Sequence, residues 1–439
     1  MTTQRIKSLR TRFRAALSSR IAANIFSLYV VRGFNYLLPL LVLPYLLRVL
    51  GPRTYGGIAL AQSLMTYAVI LTDFGFALSA TRAISLARDD PGELARIFWI
   101  TITAKATLLL VCACIIASLF VFLEPLRAHE AVISLCGLSV IGSVALPQWY
   151  FQGIERMRAM AWIQAASKII GLLPIFIFVH SSQDQLLAAA ILSMPAMIGG
   201  ILCLVAVKYI APVSFYRPKW RDIRKAYSDS RHFFLSTVAT SAYVTGNGLI
   251  LGLVSGDTAV AFYSVANKAA LAAFGLFTPV IQAVFPRSSF LFGRSLPEAR
   301  MFVRQVATPL LTISALISSM LFLFAHQVIT LLGGSQYAAA TSVLRVMAFL
   351  PTAVCAATLL AQLIMINIGL ARTLSHIYVF MGLLSFVLLP LLAHRFGALG
   401  GAMALMTVET LGPGLMLIAI WKSRQFWNDR NKDSARDSK

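Results

Sequence analysis

The sequence predicts an all-α polytopic membrane protein with about twelve transmembrane helices in two six-helix lobes. This prediction rests on the overall composition, the spacing of long apolar segments and the alternation of basic residues between the two sides of the membrane. Hydrophobic residues make up 58% of the 439 residues and charged residues only 12%, whereas soluble domains carry about 25% charged residues. Lipid is therefore the main solvent of this chain.

Apolar windows of about 19 residues mark the spans in order along the chain. A helix needs about 20 apolar residues to cross the hydrocarbon core of a bilayer, and each window is close to that length. The predicted spans are 22–43, 57–78, 98–123, 132–151, 162–179, 186–207, 233–253, 260–285, 306–324, 343–366, 374–392 and 398–421. They predict an N-terminal six-helix lobe at 22–207, a connecting loop at 208–232, a C-terminal six-helix lobe at 233–421, and basic tails at 1–21 and 422–439.

Lysine and arginine residues indicate the orientation of these spans. Of the 38 such residues, 29 fall in the segments on the same side as the N-terminus, and only Arg48, Arg53, Arg127 and Arg395 fall on the opposite side. Loops rich in Lys and Arg face the cytoplasm, so both termini and the connecting loop are predicted to be cytoplasmic. The concentration of basic residues on the cytoplasmic side accounts for the net charge of +22. No nucleic acid partner is therefore expected.

Weak internal similarity indicates a duplication. The segment LGPRTYGGIALAQ at 50–62 resembles VSGDTAVAFYSVANK at 254–268, about 205 residues further along the chain. Repeated halves are common in transporters, whose substrate sites lie between the repeats near the middle of the membrane.

Five cations lie within the predicted spans. Charges exposed to lipid are costly, so these side chains must face protein or water. The excess of cations over anions favours a cavity for an anionic substrate, above all a phosphate. For Lys105 and Lys168, near span ends, buried pairing or snorkelling is an equal alternative. The candidate substrate-binding residues among them are Arg32, Lys105, Lys168, Lys268 and Arg345.

Asp73 and Glu409 are the two acids predicted to lie within the membrane. Each is a candidate for coupling transport to H+ or Na+, and the alternative is an ion pair with a nearby cation. Glu409 lies just before Gly412, Pro413 and Gly414, where a helix break would expose backbone carbonyls to an ion.

Polar residues recur at helical spacing on three spans. Such stripes favour a shared central cavity, although hydrogen bonds between packed helices give the same pattern. The candidate cavity-lining residues are Asn24 and Asn35 on the first span, Gln62 on the second, and Ser236, Thr240, Tyr243 and Asn247 on the seventh.

Catalytic and metal motifs are not found in the sequence. The six histidines are scattered singly, without an HExxH motif or a nucleophile elbow. No predicted loop exceeds roughly 25 residues, which is below the size of a domain. We therefore expect a transporter rather than an enzyme, with no cofactor and no metal.

Four segments resemble a known family. The longest is 24–90, which includes LYVVRGFNY, LRVLGPRTYG and LTDFGF, and the others are PQWYFQGIERMR at 147–158 and the segments 250–289 and 331–351. They resemble the polysaccharide repeat-unit flippases, the Wzx-type branch of the multidrug/oligosaccharidyl-lipid/polysaccharide exporter superfamily. The matching family positions are Arg32, Arg48, Asp73 and Lys268, and the resemblance thereby adds Arg48 to the candidate substrate-binding residues. Asn267 stands where the family often has an acid.

This resemblance implies a flippase of the bacterial inner membrane. The expected cargo is an oligosaccharide linked to undecaprenyl pyrophosphate, moved from the cytoplasmic to the periplasmic leaflet by alternating access between the lobes, with an ion gradient as the driving force. The product would be O-antigen, capsule or exopolysaccharide, and the polysaccharide polymerase machinery is a candidate partner besides the lipid bilayer.

Three alternatives to this function stay open. A drug exporter or a peptidoglycan-precursor flippase would belong to the same superfamily. A membrane polymerase or ligase of the same pathway would be expected to carry a large periplasmic loop with catalytic residues, which this sequence lacks.

Overall fold

The computed structural model describes residues 41–423 except residue 246, and at 158 and 235–246 no side chain is described. The described part is helical and contains no β-strand. Its helices are α1 (41–73), α2 (Phe76–Leu86), α3 (Pro91–Phe122), α4 (Glu124–Arg127), α5 (Glu130–Cys136), α6 (Leu138–Ala145), α7 (Gln148–Gly153), α8 (Met157–Leu172), α9 (Ile175–Phe178), α10 (Gln185–Ile210), α11 (Trp220–Thr245), α12 (Asn247–Ser255), α13 (Asp257–Gly275), α14 (Thr278–Arg294), α15 (Leu296–Leu323), α16 (Ala325–Gly333), α17 (Ala340–Met347), α18 (Leu350–Thr358) and α19 (Ala371–Ser423). Short 3₁₀ turns lie at Ser182–Asp184 and Ser335–Tyr337, and a π-helical turn lies at Leu359–Met365.

Among the described residues, eight helices are long and apolar enough to cross a membrane, or nine if one bent pair forms a single span. Two of them, Leu41–Leu86 with 46 residues and Ala371–Ser423 with 53, would be roughly 70 and 80 Å long at about 1.5 Å per residue. The hydrocarbon core is only about 30 Å thick. Left-handed backbone at Gly51 (φ 73°) interrupts the first helix near its described start, and at Gly397 (φ 57°) it divides the second into two parts that are each long enough for one crossing.

The predicted spans from the second to the twelfth all coincide with helices, some with breaks of one or two residues. The first predicted span, 22–43, lies almost entirely outside the described residues. The all-α membrane fold class is confirmed, whereas the number twelve and the division into two lobes stay predictions.

Buried side chains form one large cluster shared by the N-terminal half (41–210) and the C-terminal half (220–423), with a smaller cluster in each half. The outer surface carries large apolar side chains, such as Leu110, Val121, Leu383 and Phe386, that are more than half exposed. A surface of this kind is suited to lipid, because hydrocarbon does not penalise exposed apolar groups.

The segment that connects the two halves is shorter than the sequence predicted. Helix α10 continues to Ile210 and α11 begins at Trp220, so only 211–219 is non-helical within the predicted loop 208–232. Helix α11 contacts α2 and α3 of the N-terminal half and α19 of the C-terminal half. It therefore links the two halves directly.

The two similar segments also share a backbone feature. Gly51 precedes the second span with φ 73°, and Gly256, at the same separation of about 205 residues, precedes α13 with φ 80°. Glycine adopts this left-handed conformation without the steric penalty of a Cβ atom. The equivalent turns are consistent with the predicted duplication.

Candidate functional site

A cavity of about 420 Å³ lies between α1 of the N-terminal half and α13 of the C-terminal half, with α8 and α10 forming its other walls. Four polar side chains line it: Tyr55, Gln62, Lys168 and Lys268. The rest of the lining is apolar and includes Val42, Leu43, Leu46, Leu172, Leu192 and Leu271. The cavity thus combines two ammonium groups with a hydrocarbon-like wall.

Lys268 is fixed by a tyrosine from the other half of the chain. Its Nζ donates a hydrogen bond of 2.6 Å to the Tyr55 hydroxyl and lies 5.2 Å from the centre of the Tyr55 ring. Tyr55 is only 1% exposed, whereas Lys268 is exposed. Because an ammonium group has three donors, Lys268 retains donors for an anion while Tyr55 holds it in place.

Lys168 and Gln62 complete the polar lining from the N-terminal half. Lys168 is half-buried on α8, and Gln62 lies on α1, one helical turn beyond the buried Ile58. The sequence predicted Gln62, Lys168 and Lys268 as cavity residues but not Tyr55. Such a site is chemically suited to an anion attached to an apolar chain, since charge-assisted hydrogen bonds hold the anion and the leucines accommodate the chain.

Lys105 and Asp73 do not line this cavity in the described geometry. The Lys105 Nζ lies 3.4 Å from Asp73 Oδ1 and donates to the Ser143 carbonyl oxygen at 3.3 Å, and Lys105 is only 3% exposed. For both residues the structure shows the ion pair, which was the alternative to a substrate or coupling role. Mutual charge neutralisation explains how Lys105 is tolerated among apolar side chains.

Arg48 and Arg345 also lie apart from the cavity. The exposed Arg48 donates a hydrogen bond of 2.6 Å from Nη2 to the Leu331 carbonyl oxygen of the C-terminal half. Arg345 is exposed on the last turn of α17. Thus, of the predicted cations that the structure describes, Lys168 and Lys268 share the cavity, and Arg48 instead ties the two halves together.

Glu409 lies in a second polar cluster, within the C-terminal half. It is 7% exposed and lies within electrostatic range of Tyr263 and Tyr378. Asn247 donates a hydrogen bond of 2.7 Å to the Tyr263 hydroxyl, so Asn247 belongs to this cluster and not to the cavity. Within the described part of the chain, no cation forms an ion pair with Glu409.

Six further predicted site residues fall where the structure describes no side chain. Asn24, Arg32 and Asn35 lie outside the described residues. Ser236, Thr240 and Tyr243 belong to α11, but their side chains lie outside the described set.

Three glycines bring α1 and the segment 248–257 into close contact across the two halves. An added Cβ atom at Gly56 would overlap the Asp257 backbone, one at Gly248 would overlap the Ser63 side chain, and one at Gly252 would overlap Leu60. Small residues at helical spacing permit such close approach of membrane helices. The sequence signal was the four-residue spacing of Gly248 and Gly252, which the charge pattern does not reveal.

Polar contacts reinforce this closure on the side that carries few basic residues. His129 Nε2 lies 3.0 Å from Asp257 Oδ1, and Gln336 Nε2 donates to the Leu47 carbonyl oxygen at 2.8 Å. Together with Arg48 and Leu331, these pairs join the N-terminal half to the C-terminal half. We call the glycine contacts and these polar contacts the seal.

Sequence comparison shows the family to which this helical membrane chain belongs. The pattern of the polysaccharide biosynthesis protein family matches residues 21–292, more than half of the chain. The chain belongs to this family. The resemblance inferred from the four sequence segments is thereby confirmed.

Two relatives of this family member match along most of their length. A candidate O-antigen transporter of Escherichia coli (strain K12) is 31% identical over 400 residues, which cover 90% of this chain and 96% of the relative. A candidate O-antigen transporter of Shigella dysenteriae is 30% identical over 401 residues, with coverage of 90% and 99%.

Solved structures of similar fold are membrane transporters. The lipid II flippase MurJ in an inward closed conformation has a TM-score of 0.68 at 13% identity, covering 90% of this chain and 88% of MurJ. An inward-facing multidrug resistance MATE family transporter of the MOP superfamily has a TM-score of 0.63 at 13% identity, with coverage of 92% and 99%. At such low identity these likenesses concern the fold, and they confirm the predicted fold class.

Proposed function

We propose that this chain translocates oligosaccharide repeat units linked to undecaprenyl pyrophosphate across the bacterial inner membrane. As a family member with candidate O-antigen transporters among its relatives, it is a membrane transporter for polysaccharide synthesis and not an enzyme. The lipid carrier, the direction between leaflets and the transport mechanism are our proposal.

The observation that carries this proposal is the cavity shared by the two halves. Lys168 comes from the N-terminal half and Lys268 from the C-terminal half, so each half offers an ammonium group to a pyrophosphate in the cavity. The leucine-rich wall suits the first isoprenoid units of the lipid. A drug exporter would not require two cations in the same cavity, so the lipid-linked anion is the better match.

Alternating access between the halves is the mechanism that we infer. The seal closes the side with few basic residues, which the distribution of Lys and Arg predicts to be periplasmic. Transport would then require the seal to open while the opposite side closes. The contacts of the seal, through glycines and a few hydrogen bonds, form a discrete interface that can separate as a unit.

Glu409 is our candidate for coupling to H+ or Na+. It is buried, and it lacks a cationic partner among the described residues. A carboxyl group in such surroundings can change its protonation or ion occupancy without breaking a salt bridge. Asp73, by contrast, is engaged with Lys105, and we do not assign coupling to it.

The double variant Lys168→Gln/Lys268→Gln tests this function in cells that depend on the chain for surface polysaccharide. Each lysine lost removes a charge-assisted hydrogen bond, so we expect export to fall at least about tenfold. Surface polysaccharide is quantified on whole cells, and the level of protein in the membrane fraction is measured in parallel. The exposed Arg294→Gln is the control, and wild-type polysaccharide in the double variant would reject the cavity as the substrate site.

A further inference from the structure

The segment that connects the two halves presents an unusual outer face. From Lys208 to Lys225 its exposed side chains, apart from Pro212 and Ser214, are aromatic or basic, with three aromatic residues among six cations. We call this set the linker strip; it comprises Lys208, Tyr209, Phe215, Arg217, Lys219, Trp220, Arg221, Arg224 and Lys225. Tyr209 and Phe215 are each 76% exposed and Trp220 is 66% exposed.

The inner face of the same segment is fastened to the N-terminal half. Arg96 of α3 forms an ion pair of 3.1 Å with Asp222, which also accepts hydrogen bonds from the Tyr216 hydroxyl and the Lys219 backbone N–H. The Arg96 guanidinium holds the pKa of the Asp222 carboxyl below its usual range. Asp222 is therefore ionised and turned inward, and it does not neutralise the linker strip.

A second attachment fixes the non-helical part. The Trp99 indole Nε1 donates a hydrogen bond of 3.0 Å to the Ser214 carbonyl oxygen, and its ring meets the Phe215 ring edge-on with centroids 5.1 Å apart. Tyr150 donates from its hydroxyl to the Ala211 carbonyl oxygen at 3.0 Å. The exposed position of Phe215 is thus set by the fold and is not an accident of a loose loop.

Helix length places the linker strip at the membrane surface. From Trp99 to the end of α3 at Phe122, and from the start of α10 to Tyr209, each helix rises roughly 35 Å at about 1.5 Å per residue. This distance spans the hydrocarbon core of about 30 Å. Trp99 and Tyr209 therefore lie near one boundary of the core, at the level of the lipid headgroups, where aromatic side chains are favoured.

We propose that the linker strip binds the headgroups of anionic phospholipids in the leaflet at the basic end of the protein. Aromatic rings at this depth insert between lipids, while the neighbouring cations meet the phosphate groups. Since α11 continues from the strip to α19, the bound lipid contacts a helix shared by both halves. This binding is independent of the cavity and of the transported molecule.

The occupant is a lipid surface and not an acidic protein or a nucleic acid. Charge alone would suit any of these polyanions. The three exposed aromatic residues distinguish between them, because their position at the headgroup level exposes them to lipid.

The test uses the full-length protein purified in a neutral detergent. Phosphatidylglycerol or phosphatidylcholine is added in mixed micelles, and the lipid retained per protein is counted by native mass spectrometry. We expect the wild type to retain phosphatidylglycerol in preference. In the variant Arg217→Gln/Lys219→Gln/Arg221→Gln that preference should fall at least about fivefold.

A matched control removes three exposed arginines from the same end of the C-terminal half: Arg294→Gln/Arg304→Gln/Arg372→Gln. It should retain phosphatidylglycerol as the wild type does. An equal loss in the control, or an unchanged preference in the strip variant, overturns the proposal. Because the readout needs no transport, it is unaffected if the proposed cargo is wrong.

A second measurement addresses the aromatic residues. In vesicles of phosphatidylglycerol brominated near the headgroup end of the acyl chain, the fluorescence of Trp220 should be quenched, as judged from the difference between wild type and Trp220→Phe. No difference overturns membrane insertion of the strip. Displacement of phosphatidylglycerol by polyglutamate or DNA, with no quenching, would identify a soluble polyanion as the occupant and reject the lipid.

Discussion

Lysines within the membrane have different roles according to their neighbours. Lys105 is buried with Asp73 at 3.4 Å, so its charge is neutralised within the N-terminal half. Lys268 has a tyrosine hydroxyl as its partner at 2.6 Å and faces a cavity. A neutral partner orients the ammonium group without cancelling its charge. For this reason Lys268, and not Lys105, is suited to bind an anion.

Glu409 gives a test at the level of a single residue. Glutamine has nearly the same shape as glutamate but cannot take up or release a proton, so Glu409→Gln should abolish the acceleration of transport by an ion gradient. Transport into proteoliposomes is measured with and without an imposed proton or sodium gradient. We expect the variant to transport at the rate that the wild type shows without a gradient.

The exposed Glu298→Gln is the control for this experiment and should respond to the gradient as the wild type does. If Glu409→Gln is still accelerated to the wild-type extent, Glu409 has no coupling role.

Charges within the spans can be predicted from the sequence because they stand out among apolar neighbours. Three of the predicted cavity residues, Gln62, Lys168 and Lys268, do lie together. Lys105 could not be separated from them, because its ion-pair partner Asp73 lies 32 positions away on a different helix. Tyr55 was missed because a tyrosine near a span end is unremarkable until its hydroxyl is seen beside Lys268.

At the scale of helices, the packing of α1 against α12 determines which side of the protein is closed. The contacts at Gly248 and Gly252 lie one turn apart, and at both the approach is too close for a Cβ atom. The glycines themselves lose no side-chain entropy when the interface forms. The same interface can therefore close and open repeatedly.

Substitution of one glycine should hold the seal open. In Gly56→Ala the new methyl group would overlap the Asp257 backbone, so α1 and the start of α13 must separate on the side with few basic residues. Spin labels at Arg53→Cys and Arg395→Cys, both exposed and in different halves, report this separation by pulsed electron paramagnetic resonance, after the native cysteines are replaced. We expect the distance distribution to shift to longer values.

Gly414→Ala is the matched control, since a Cβ atom there meets nothing within 4 Å. Its distances should equal those of the otherwise unsubstituted protein. An unchanged distribution in Gly56→Ala would contradict the role of the seal.

Helices themselves were well predicted from hydropathy, because each apolar window must be helical to satisfy its backbone in lipid. The short breaks were not predicted. The interruption of α1 at Gly51 depends on a single left-handed residue. The extension of α11 back to Trp220 depends on the contacts of Asp222 with Arg96 and Tyr216. Such tertiary contacts leave no periodic signal in a sequence.

On the scale of the whole molecule, the two halves contribute different parts of one path. The N-terminal half supplies Lys168 and Tyr55, and the C-terminal half supplies Lys268 and, in a separate cluster, Glu409. The seal joins the halves on one side of this path, and α11 joins them on the other. Movement of one half relative to the other therefore changes access to the cavity and, in our account, carries the bound pyrophosphate across.

Reconstituted translocation tests this account most directly. Proteoliposomes containing the purified chain are supplied with a fluorescent oligosaccharide linked to undecaprenyl pyrophosphate, or with the same oligosaccharide linked to undecaprenol without phosphate, and transfer between leaflets is followed by quenching from outside. We predict that the wild type moves only the pyrophosphate-linked lipid and that Lys168→Gln/Lys268→Gln moves neither. Equal transfer of the uncharged lipid, or wild-type transfer by the double variant, would contradict it.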